Sequence, residues 1–207
     1  MGGGYFSLSL VNKGLSGVGI SVDQGEVTGL TNVLNSRQIK EEKLKILKLD
    51  ARKATELDRK FDLILAFEVI EHIKADLDVI KIFSQVQPNK GRLLLSVPNK
   101  IAWVNINKND YGEEPEHVRP GYTFPELKKL LEEGGYKVLE EYGIGGLLTQ
   151  TGQKLQEKSM LKKLSGKLWS YLLRLITLAF LPLTALEEVI PTPKELKGTL
   201  VVLAEKV

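Results

Sequence analysis

Four groups of residues in this sequence have the types and spacing to do chemistry. Gly2, Gly3 and Gly4 stand directly before a stretch of helical pattern. Glycines opening a helix let backbone amides close on the negative or polar end of a ligand, although three glycines can also be a plain flexible lead-in. Asp50 ends the alternating run LKILKL of residues 44–49, either as a solvated turn residue or as an acceptor for a ligand. Glu68, Glu71 and His72 fall at i, i+3 and i+4, one face of a helix. The structural reading of that trio is an acid near a helix start with its histidine packed, and no metal is assigned to it. His72 and His117 are the chain's two histidines and so its candidates for a general base near neutral pH. His117, in Glu116-His117-Val118-Arg119, is the preferred one; its other reading is a loop histidine that bonds backbone and holds the loop in place.

The elements that must position these groups alternate between strand-length apolar runs and helical stretches, the pattern of a parallel sheet covered on both faces. A helix runs from Tyr5 to near Gly14, then a strand over GVGISV (17–22), a helical pattern over 26–43, and LKILKL. FDLILAF (61–67) is a buried strand leading into a helix through Glu71 and His72. Another helix over 76–86 is closed by Pro88-Asn89-Lys90-Gly91, and RLLLSV (92–97) is a strand stopped at Pro98-Asn99. Residues 100–122 form a long irregular stretch, where function concentrates. Thr123 to Glu126 is a capping box whose helix is closed by Gly134-Gly135; strands follow at 136–142 and 198–204.

The ordered segments GGGYFSLSLVNKG, GVGIS, LKLDA, FDLILAFEVIEHI, PNKGRLLLSVPN and HVRPGYTFPELKKLLEEGGYKV resemble the Methyltransf_11, ubiquinone-type O-methyltransferase group of class I S-adenosylmethionine-dependent methyltransferases. The likeness spans residues 2–142, and FDLILAFEVIEHI is its most specific part. It implies a Rossmann-like, doubly wound, mostly parallel sheet with an antiparallel last strand, and S-adenosyl-L-methionine as cofactor. It also implies roles. Gly2 and Gly4, with Gly3 between them, match the family's glycine loop around the methionine end of the cofactor. Asp50 and Ala51 match the pair that reads adenine, carboxylate to exocyclic amine and backbone amide to ring nitrogen. Phe67 and Glu68 match the strand end that lies along the cofactor. In the family the Glu-His trio holds a divalent cation in some members and none in others.

Two departures from that family follow. The strand the family places before its glycines is absent from this sequence, so the two strands flanking its place are expected to show bare edges. Where the family grips both ribose hydroxyls with an acid, spacing puts Ser21. A hydroxyl in place of a carboxylate removes on the order of 1.5–3 kcal/mol of cofactor binding, and Asp23 is the nearby acid that would substitute. A second register, with Asp23-Gln24-Gly25 to Gly29 as the glycine loop, fails because too few residues then separate Asp50 from Phe61 for a helix and a strand. Methyl transfer to an oxygen, or to nitrogen or carbon, of a small or lipid- or glycan-linked acceptor is the leading reading. The others are a non-catalytic methyltransferase-like protein and an NAD-dependent oxidoreductase, which lacks its third glycine because Ser7 stands there.

The chain reads as one domain over 1–207 with a helical insertion or cap over 153–190. Within 153–174 six basic residues face one acid, beside a leucine stripe at helical spacing. That is either a cap packed on the sheet or a basic amphipathic surface over 153–186 that touches membrane. Residues 168–186 are apolar enough to invite a membrane span, but Pro182 interrupts them and the last strand must rejoin the sheet. The absence of cysteine excludes disulfides and thiolate metal sites and fits a reducing compartment, and the expected location is cytoplasmic, with membrane-peripheral contact as the variant. A net charge of +3 is too diffuse to argue for nucleic acid. Oligomeric state is not written in these residues.

Overall fold

The computed structural model describes residues 5–102, 105, 118–147, 149–151 and 193–207. In chain order they form α1 (Tyr5–Asn12), β1 (Gly17–Ser21), α2 (Gln24–Ser36), β2 (Leu44–Lys48), β3 (Leu63–Phe67), α3 (Asp76–Gln85), β4 (Arg92–Pro98), α4 (Phe124–Glu133), β5 (Tyr136–Ile144) and β6 (Thr199–Lys206). Short 3-10 turns lie at Ala51–Leu57, Ile70–His72 and Lys194–Leu196. Gly2, Gly3, Gly4, His117 and the 153–190 insertion fall outside the described residues.

The continuous apolar run of β4 places it inside the sheet, where Leu93, Leu95 and Val97 are fully buried. The order is β3-β4-β6-β5, with β3 parallel to β4 and β6 antiparallel to both neighbours. This is the doubly wound α/β class with an antiparallel last strand that the sequence implies. Leu200, Val202 and Ala204 alternate inward from β6 to meet Val79, Ile80 and Phe83 of α3 and Leu127 and Leu131 of α4. The Thr123 hydroxyl accepts from the Glu126 amide and the Glu126 carboxylate accepts from the Thr123 amide, the reciprocal cap that starts α4. α3 and α4 approach closely because residue 134 is glycine: a Cβ there would stand 2.2 Å from Ile80 Cγ2.

β1 and β2 form a separate parallel pair with its own small core of Leu8, Leu34 and Leu44. Among the described residues β1 pairs only with β2 and β3 only with β4, so each keeps one unpaired edge. β3 reads LILAF, yet only Ala66 of it is fully buried and Leu63 is 40% exposed. Among the described residues these are the two edges that were expected to be bare. α1 reaches across between the two sheets, its Phe6 ring 4.7 Å from that of Phe67.

Two local expectations need correction. The helix expected over 26–43 ends at Ser36. Gln38 adopts φ 54°, its amide donates to Asn35 O and the Ile39 amide donates to Leu34 O, the paired bonds of a Schellman stop with glutamine in glycine's usual place. The helix expected through Glu71 and His72 is a three-residue 3-10 turn. Its cause is Glu68, whose amide extends the β3–β4 ladder to Ser96 O before a φ of 52° turns the chain away.

Candidate active site

In each parallel pair the carboxyl ends fall together, and that is where open α/β sheets present ligand-binding groups. The β1–β2 ladder closes with the Leu49 amide donating to Ser21 O at 3.0 Å, which sets Ser21 and Asp50 at neighbouring strand ends. Asp50 caps the 3-10 turn that starts at Ala51, accepting from the Arg52 amide at 2.9 Å. The Arg52 guanidinium also grips this carboxylate, Nε at 3.0 Å and Nη2 at 2.5 Å, and the hydrogen bonding from Arg52 holds the Asp50 carboxyl below its ordinary range. Asp50 is thus ionised and acceptor-only, with an exposed arginine beside it. Ala51 packs against the large core, fixing the turn to the rest of the molecule.

Ser21 is buried and its Oγ donates to Glu26 Oε2 at 2.6 Å. Asp23, the acid expected to stand in for Ser21's missing carboxylate, is engaged elsewhere: it caps α2 by accepting from the Glu26 amide at 2.7 Å. Sequence reasoning passed over Glu26. Its only sequence signal is the Asp23-x-x-Glu26 spacing of a helix start, which says nothing of a carboxylate turning back to the strand end.

At the other pair of strand ends, Ser96 Oγ donates to Glu68 Oε1 at 2.9 Å, and burial raises the Glu68 carboxyl. Glu71 is fully buried, and neither of its carboxylate oxygens has a hydrogen-bond partner among the described residues. His72 Nε2 lies 3.6 Å from Glu71 Oε1, and burial pushes the Glu71 carboxyl up to about 8. Glu68, Glu71 and His72 do not share one helical face, since Glu68 belongs to the strand end. Among the described residues no group of three or more His, Cys, Asp or Glu could hold a metal ion.

The segment after the long loop is tied to this acidic corner. The Val118 amide, next in sequence to His117, donates to Glu71 O at 3.2 Å. Arg119 pairs with Asp76, donates from Nη2 to Ile73 O and Lys74 O, and lies over the Tyr122 ring at 5.4 Å. Tyr122 donates to Asp76 at 2.8 Å, and burial first, then that aspartate, pushes its phenol far upward. Gly121, at φ 117°, lets this turn lie on Pro98, whose carbonyl oxygen would be 2.1 Å from an added Cβ. The Asp76–Arg119–Tyr122 cluster was also missed in sequence, because Asp76 lies more than forty residues before the other two.

These donors and acceptors fit an adenosine-bearing cofactor. Asp50 offers an acceptor for an exocyclic amine, and a second carboxylate stands at the adjoining strand end. A methyltransferase domain family matches residues 2–141. Among solved structures, the [4+2]-cyclase SpnF aligns over 98% of this chain and 71% of its own, at 14% identity and TM-score 0.63. A putative sarcosine dimethylglycine methyltransferase from Galdieria sulphuraria aligns over 97% and 72%, at 12% identity and TM-score 0.63. Magnesium protoporphyrin IX methyltransferase from Synechocystis PCC 6803, solved with bound SAH, aligns over 99% and 70%, at 13% identity and TM-score 0.58. At such identities the likeness is one of fold. No curated protein matches in sequence.

Proposed function

This chain belongs to the methyltransferase domain family, whose cofactor is S-adenosylmethionine, and we propose that it transfers the cofactor's methyl group to an oxygen nucleophile, or to nitrogen or carbon, of a small or lipid- or glycan-linked acceptor. The observation that carries the reading is Asp50: ionised, capping a turn at the end of β2, and set beside the end of β1 by the Leu49–Ser21 bond. Its carboxylate would accept from the adenine amine and the Ala51 amide would donate to the ring. Phe67 and Glu68, where β3 turns away, would border the methionine end together with Gly2, Gly3 and Gly4.

When bound, the cofactor supplies an electrophilic methyl group for an in-line displacement. The chain's task is to orient the acceptor, exclude water and take its proton. His117 is our preferred base, because Val118 beside it is bonded to the acidic corner. His72, partly exposed and near Glu71, is the second. We read residues 1–207 as one domain, with 153–190 as a cap whose basic, apolar part over 153–186 favours an amphiphilic acceptor or an anionic membrane surface. Among the described residues no helix is long and apolar enough to cross a membrane.

Calorimetry tests the reading. S-adenosylhomocysteine should bind and NAD should not, and Asp50→Ala should weaken the former by about 1–3 kcal/mol, the cost of a buried amine losing its acceptor. NAD binding without S-adenosylhomocysteine binding overturns it. In single-turnover assays His117→Ala should lower the rate more than His72→Ala while leaving cofactor affinity unchanged.

A further inference from the structure

We infer that Glu26, aimed by Ser21, is the residue that reads the ribose hydroxyls of the cofactor in this chain; this rests on the adenosine reading of the site given above. A vicinal diol offers two hydroxyl donors, and a carboxylate is the side chain that accepts both at once, each bond being charge-assisted. The end of β1, beside the adenine-reading end of β2, has only a serine in its own sequence. The α2 helix turns back over that strand end, so its first-turn carboxylate reaches the serine: Glu26 Oε2 is 2.6 Å from Ser21 Oγ.

Three features make this a built arrangement. Ser21 is buried with its hydroxyl pointed at Glu26, and the same oxygen accepts from the Asp23 amide at 3.2 Å, which fixes the hydroxyl's orientation. Asp23 holds the first turn of α2 by taking the Glu26 amide at 2.7 Å, so the backbone of Glu26 is anchored as well. Glu26 itself is half-buried, whereas Asp23 is exposed. The positive end of α2 also favours an anion in its first turn. The family's strand-end acid has thus been replaced by a serine and a carboxylate from the next helix, five residues on.

The test compares S-adenosylhomocysteine with its 2′,3′-dideoxy analogue by calorimetry on the whole chain, with thermal melting in parallel. The native chain should prefer the diol ligand by about tenfold or more, the worth of a charge-assisted pair. Glu26→Gln should erase most of that preference, and Ser21→Ala should erase part of it. Ser21→Asp should weaken diol binding, because a second carboxylate then faces Glu26, and adding Glu26→Gln to it should restore the preference. A Glu26→Gln chain that melts lower but keeps the full preference overturns the inference and leaves Glu26 as a structural residue, as does tighter binding by Ser21→Asp alone. A native chain that binds neither ligand overturns both the adenosine reading and this inference; a native chain that binds both equally overturns this one alone.

Discussion

The four-stranded block and the two-stranded block divide the work of this molecule. β3, β4, β5 and β6 with α3 and α4 enclose sixteen buried core residues, most without exposed surface. Among the described residues β1 and β2 with α1 and α2 bury five, a cluster of Leu8, Leu34 and Leu44 with Val27 and Leu30 beside it on α2. The small block carries the polar residues proposed for adenosine, namely Ser21, Glu26 and Asp50, whereas the large block carries the acidic corner of Glu68 and Glu71. The lesson is one of scale. Hydrophobic burial is roughly proportional to area, so stability concentrates in the large block. The small block is held by one parallel pairing, by helices, by the Phe6–Phe67 contact and by Ala51, which packs on the large core. Local opening with a free energy below that of global unfolding belongs there.

The largest test removes core side chains from each block. Leu95→Ala, at a fully buried position in the middle of the sheet, should cost about 3–4 kcal/mol and shift the whole urea transition. Leu34→Ala should cost about 2 kcal/mol or less and act mainly on amide exchange in β1, β2 and α2. If native-state hydrogen exchange shows equal protection in β2 and β4, the division into a strong and a weak block is wrong.

Glu71 gives the next effect and belongs to the large block alone. Its carboxyl is pushed up to about 8 by burial, against about 4.5 when exposed. Between those values the unfolded chain loses this proton while the folded chain keeps it. Stability from this group therefore falls as pH rises from about 4.5 to 8 and changes little above. Glu71→Gln removes that slope. Relative to the native chain the variant should gain roughly 3 kcal/mol between pH 5 and pH 8. Denaturant melts at the two pH values read this directly, and a constant difference between the proteins refutes it.

The same contrast governs what could be read from sequence. The elements of the large block were legible because their cause is local and periodic: continuous apolar β4, alternating β6, and the Thr123–Glu126 box before α4. Asp50 was legible as well, since it marks where an alternating run stops. Three things were hidden. The end of α2 was masked because Gln38 takes the left-handed position that glycine usually marks. The acidic turn was read as helix because Glu68 fits a helical spacing, whereas its amide is committed to Ser96 across the sheet. Glu26 was hidden because its meaning depends on how α2 folds back over β1, and a pattern of spacing along one element does not contain that angle.

Helix caps supply the smallest effect and the finest comparison. α4 of the large block begins at Thr123 and α2 of the small block at Asp23, and each side chain takes the amide three residues on. An N-cap replaced by alanine costs typically about 1 kcal/mol. Thr123→Ala should register that cost in global stability, since α4 contributes the fully buried Leu127 and Leu131 to the large core. Asp23→Ala should register little globally, because a weak block that opens first transmits only part of its loss to the cooperative unit. It should instead raise amide exchange in the first turns of α2 and weaken S-adenosylhomocysteine binding about two- to fivefold, by loosening the backbone that carries Glu26. If the two caps shift global unfolding equally, the blocks unfold as one unit, and the cofactor end of the sheet is as firmly built as its core.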